Sequence, residues 1–148
     1  MSETHPPHRV SRSIGAVIAG VLAVVVLSLG TDAVLHATGV YPGWDKRMAD
    51  GLFVVATAYR IVYSIVGSFI AARLAPARPM RHALVVGVIG LAACLAGAVA
   101  TWDRLGEGEL GPKWYPIAII AIALPCAWAG GRLHGMRATR NGGSQGGV

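Results

Sequence analysis

The sequence predicts an all-α integral membrane protein, a four-helix bundle with antiparallel up-down-up-down topology and both termini cytoplasmic. Three observations carry this prediction. The chain is 54% hydrophobic and only 14% charged, against roughly 25% charged in an ordinary soluble domain. Its apolar residues fall into four runs, each near the ~20 residues that cross a ~30 Å hydrocarbon core. Its basic residues segregate by loop, as the positive-inside rule requires. A soluble bundle would need polar stripes along each helix, and the third and fourth runs have none.

The first run follows a polar tail (1–12) and extends from Ile14 to Gly30 and on to Val40, giving a helix over about 13–40. It exceeds the 7–15 apolar residues of a signal peptide and three more spans follow, so it reads as a retained helix. The second helix spans about 51–74, with Asp50 placed to cap it. Pro76 and Pro79 separate it from the third, about 80–101. Pro112 and Pro116 precede or open the fourth, about 113–133, where Pro125 lies mid-span and predicts a kink. The transmembrane domain thus covers 13–134, followed by a glycine-rich cytoplasmic tail over 135–148. Short connections make sequence neighbours antiparallel partners. No internal repeat is visible, which disfavours an inverted-repeat transporter fold.

Orientation follows from counting. Arg9, Arg12, Arg73, Arg78, Arg81, Arg132, Arg137 and Arg140 lie on one side, against Lys46, Arg47, Arg104 and Lys113 on the other. The richer side is cytoplasmic. Asp45, Asp50, Asp103, Glu107 and Glu109 fall in the two outer loops, with only Glu3 inside. Tyr41, Trp44, Trp102, Trp114 and Tyr115 mark the outer boundary as interface anchors. The sequence pI near 10 therefore reflects topology and contact with anionic lipid headgroups at the cytoplasmic face. The bases are dispersed and lack interleaved aromatics, so nucleic acid is not the expected partner.

An ionisable residue at membrane depth is a functional-site hypothesis by default. Asp32 and His36 share one face of the first helix, with Ser28 a turn deeper. On the second helix Thr57, Arg60 and Ser64 share one face, flanked by Tyr59 and Tyr63. Asp32 lies about 12 Å below Val40 and Arg60 about 13.5 Å below Gly51, so the two charges sit at one level and are expected to pair. One account makes the pair a structural lock, with His36 as an added donor. The other makes the cluster an outward-facing site that exchanges protons or holds a small polar ligand. Asp32 and His36 alone offer too few ligands for a metal, and no motif implies a cofactor.

Gly67 with Ala71, Gly87 with Gly90, and Ala93 with Gly97 are small-residue pairs expected to allow close helix approach. Cys94 and Cys126 sit in apolar runs, without zinc or redox spacing, and read as small buried hydrophobes. The segments TDAVLHATGVYPGW (31–44), ATAYRIVYSIVGSFIAARLAPARPM (56–80) and KWYPIAIIAIALPCAWAGG (113–131) resemble small four-helix inner-membrane proteins of bacteria. That resemblance implies the fold and a bacterial inner-membrane location, and no activity. Disulfide-forming membrane oxidoreductases need cysteine pairs that are missing here. Small multidrug transporters rest on a lone membrane carboxylate, whereas Asp32 has an arginine at its level. The expected role is a non-catalytic accessory or scaffold subunit, in a homo-oligomer or a larger membrane complex. The alternative is a small oligomeric transporter or permeation subunit using Asp32, His36 and Arg60. No nucleophile, base and oxyanion donor can be placed together, so an enzyme ranks third.

Overall fold

A computed structural model describes residues 7–43, 46–106 and 110–143. It contains four long helices, α1 (Pro7–Ala37), α2 (Asp50–Leu74), α3 (Pro79–Thr101) and α4 (Trp114–Gly143), plus a 3-10 turn at Trp102–Arg104. Among the described residues there is no strand. All four helices are long and apolar enough to cross a membrane.

Local chemistry explains the helix ends. α1 starts at Pro7 rather than near residue 13, since a proline at the first position lacks only an N–H that would be unpaired anyway. It stops where Gly39 takes φ +74, a conformation that costs glycine little. The chain then folds back so that the Tyr41 N–H donates to the Leu35 carbonyl at 2.9 Å. At α2 the cap position belongs to Ala49, not Asp50. Asp50 is the first helical residue, where its charge complements the helix dipole, and Arg47 lies 3.4 Å from its carboxylate. Pro79 opens α3, preceded by Arg78 in a left-handed conformation at φ 48. α4 is continuous through Pro125 and runs on to Gly143, past the expected end near residue 133.

The core inverts the soluble pattern. The buried residues are mostly small: Ala16, Ala56, Ala71, Ala72, Ala83, Ala98, Ala127 and Ser68. Large apolar side chains stand on the outside of every helix, among them Val26, Leu29, Val54, Val99, Ile117 and Trp128, each more than half exposed. Such a surface suits lipid, while small residues let helix backbones approach closely. Gly20 and Gly67 meet where α1 crosses α2, Gly87 lies against Ala127 at the α3–α4 crossing, and Gly130 packs on Ile65 and Ser68 of α2. Of the small pairs read from the sequence, Gly67, Ala71 and Gly87 are in these crossings. Gly90 and Gly97 have open space where a side chain would go.

α2 and α3 each pack against all three other helices, α2 the more extensively. α1 touches α2 and α3 but not α4, so the helices close in the order α1, α2, α4, α3 and not in chain order. α4 packs on α2 as extensively as α1 does. That adjacency between non-consecutive helices brings the start of α4 beside the middle of α2.

Candidate functional site

The polar cluster is assembled from the last turns of α1, the first half of α2, the turn after α1 and the first turn of α4. Tyr59 and Arg60 are consecutive on α2, and the angle of about 100° between neighbours lets them approach Asp32 from two sides. Arg60 Nη2 donates to Asp32 Oδ2 at 2.7 Å. The Tyr59 hydroxyl donates to Asp32 Oδ1. Both carboxylate oxygens are thereby occupied by protein donors. The side chains of Asp32 and Arg60 are 17% and 31% exposed, so the pair is largely removed from the surroundings. In that setting a charge-assisted bond is strong and an unpaired charge is costly.

Tyrosines enclose this pair. The Tyr41 hydroxyl lies 3.5 Å from that of Tyr59 and 3.4 Å from the Leu52 carbonyl. The Tyr115 ring lies under the Arg60 guanidinium, 5.7 Å from ring centroid to guanidinium carbon. This is within the range of a cation–π contact. Phe53 tilts against Tyr115 at 5.0 Å. Tyr63 stacks obliquely on Tyr59 at 5.6 Å and hydrogen-bonds Thr31 at 2.8 Å. The layer therefore ties three helices together.

The remaining residues singled out in the sequence fall around this core. His36 sits a turn beyond Asp32, where its Nδ1 is 2.7 Å from the Pro42 carbonyl and its ring meets Tyr41 edge-on at 5.3 Å. Thr57 donates back to the Phe53 carbonyl of its own helix at 2.8 Å and does not join the cluster. Ser64 and the nearly inaccessible Ser68 line a cavity next to Arg60. Ser28 is half-buried on α1, one turn deeper than Asp32. Among the described residues no group of three or more His, Cys, Asp or Glu could hold a metal ion.

The aromatic anchors divide. Trp102 and Trp114 are 42% and 40% exposed at the ends of α3 and α4, with Lys113 over the Trp102 ring at 5.4 Å. Trp44 lies outside the described residues. Tyr41, expected at the boundary, is only 3% exposed, because the turn at Gly39 carries it back into the bundle. Tyr115 likewise belongs to the cluster. Neither is legible in the sequence as part of the site, and nor is Thr31. Gly39, two residues before Tyr41, was the available signal for the reversal. Nothing in the sequence announced Tyr115, because its place depends on α4 lying beside α2. No protein family, curated protein or solved structure matches the chain.

Proposed function

We propose that this chain is a non-catalytic accessory or scaffold subunit of the bacterial inner membrane. Its helices alternate in direction, and both termini and the arginine-rich loop between α2 and α3 face the cytoplasm and anionic headgroups. The observation that carries the reading is the closed geometry of the Asp32–Arg60 pair. Each oxygen of Asp32 accepts from a side chain of α2, Arg60 or Tyr59, which fixes the carboxylate as one half of a charge-assisted pair between helices. The cluster acts as a lock on the α1–α2 crossing, with Tyr115 attaching α4.

A scaffold also needs a surface for its partner. Ala96, Gly97, Val99 and Ala100 are exposed at the end of α3 nearest the cluster. Their low relief fits a further transmembrane helix, from a second copy or another subunit. Gentle solubilisation followed by native gel analysis and cross-linking tests this. The expected result is a complex larger than the monomer, weakened by Gly97→Leu. A monomer in every detergent and in native membranes overturns the reading.

The recess beside Arg60 favours a second reading, a small oligomeric transporter. Proton or small-cation flux in vesicles that is abolished by Asp32→Asn would establish it in place of the first.

A further inference from the structure

The wide separation of α1 from α4 across the bundle leaves a cavity behind the ion pair. α1 approaches α3 at Gly20, where a β-carbon would lie 3.1 Å from Val86 Cγ2, and it never reaches α4. From that crossing toward the Tyr41 end, the space enclosed by the four helices is a cavity of about 220 Å³. Its walls are apolar, with Val25, Ile89 and Ile122 among them, and its polar groups come from α2: Arg60, Ser64 and Ser68. Val25 and Ile89 are 44% and 41% exposed, so the cavity opens sideways onto the apolar outer surface. Arg60 also lines a second recess between α3 and α4, which shares Cys94 and Ile119 with the first.

The charge state of the cavity selects its occupant. Arg60 Nε is buried and has no hydrogen-bond partner, and an unmet buried donor is costly. Asp32 already neutralises the guanidinium through Nη2, so an anion added here would leave one uncompensated negative charge in an apolar enclosure. What remains unmet is a hydrogen bond, not a charge. We propose that the cavity binds an uncharged lipophile carrying a carbonyl oxygen. Its chain lies among Val25, Ile89 and Ile122, its oxygen accepts from Arg60, and it enters from the bilayer through the side opening. This is binding without a chemical step, and it stands independently of the accessory role.

The test uses 2-tridecanone labelled with ¹³C at the carbonyl, titrated into the protein in nanodiscs of ether-linked phospholipid, which contributes no carbonyl of its own. The expected result is saturable binding with a downfield shift of the carbonyl resonance. Gly90 lines the cavity and a β-carbon there meets nothing within 4 Å, so Gly90→Leu folds and fills the space. It weakens binding by about tenfold or more, by occluding a pocket of this kind. Arg60→Lys keeps the positive charge beside Asp32 but removes Nε, and the bound ketone loses its downfield shift. Unchanged binding by the Gly90→Leu variant overturns the proposal. So does displacement of the ketone by an equal concentration of tridecane, which would make the cavity a purely apolar void. Displacement by ester-linked phospholipid also overturns it, by assigning the cavity to bulk lipid.

Discussion

Gly20 of α1 and Gly67 of α2 cross backbone against backbone: a β-carbon on either would lie 2.6 Å from the carbonyl oxygen of the other. This contact sets the distance between the two helices that also carry Asp32 and Arg60. The crossing and the ion pair are two fixed points on one hairpin, so disturbing the first should loosen the second.

Gly67→Val introduces a clash with the Gly20 carbonyl and the Val24 side chain that only a backbone shift can relieve. The expected cost is about 1–3 kcal/mol, as for overpacking elsewhere, read as a lower thermal midpoint in detergent. Gly15→Val serves as the reference, since nothing lies within 4 Å of its β-position. Equal melting of the two variants would refute the crossing.

Tyr59→Phe removes the second donor from Asp32 and leaves one carboxylate oxygen unmet. A loss of about 1–3 kcal/mol is expected for a half-satisfied buried group. Tyr63→Phe breaks only the bond to Thr31, a neutral pair, and should cost about 0.5–1.5 kcal/mol. Chemical denaturation in micelles gives both values, and the expected order is Tyr59 above Tyr63.

Gly111 has φ +102 and its β-position falls on the Phe53 ring. Gly111→Ala therefore suffers both backbone strain and a clash, whereas Gly39→Ala, at φ +74 with open space around it, suffers strain alone. The second should cost about 1–2 kcal/mol, and the first more. Differential scanning fluorimetry of the two variants decides the order.

Orientation is tested with single cysteines in a chain whose Cys94 and Cys126 are replaced by Ala. The Ala77→Cys variant, altered between α2 and α3, should react with a membrane-impermeant maleimide only after the cells are opened. The Asp103→Cys variant should react in intact cells. The reverse pattern would place the arginine-rich loop outside.

Much of this arrangement is legible in the sequence, for identifiable reasons. The four helices follow from run length and proline placement, because a bilayer imposes a minimum span that few other constraints mimic. The Asp32–Arg60 contact is legible because the two residues are counted from opposite ends of one short loop, so their depths can be compared without knowing the fold. The role of Tyr115 is not legible, since it requires α4 to pack on α2, and the adjacency of non-consecutive helices is set by which small residues meet. Gly130 makes that contact, against the Ile65 carbonyl, yet in the sequence it is one glycine among 20. Tyr41 is intermediate: its aromatic character suggests the interface, and only the positive φ of Gly39 returns it to the bundle.

The central claim is that Asp32 and Arg60 act as one unit. A double-mutant cycle with Asp32→Asn and Arg60→Met, read as unfolding free energy in one detergent, tests it most directly. Each single variant should lose about 3–5 kcal/mol by stranding a polar or charged partner, and the double variant should lose less than the worse single variant. A double variant whose loss equals the sum of the two single losses would show that the residues act separately and would contradict the account.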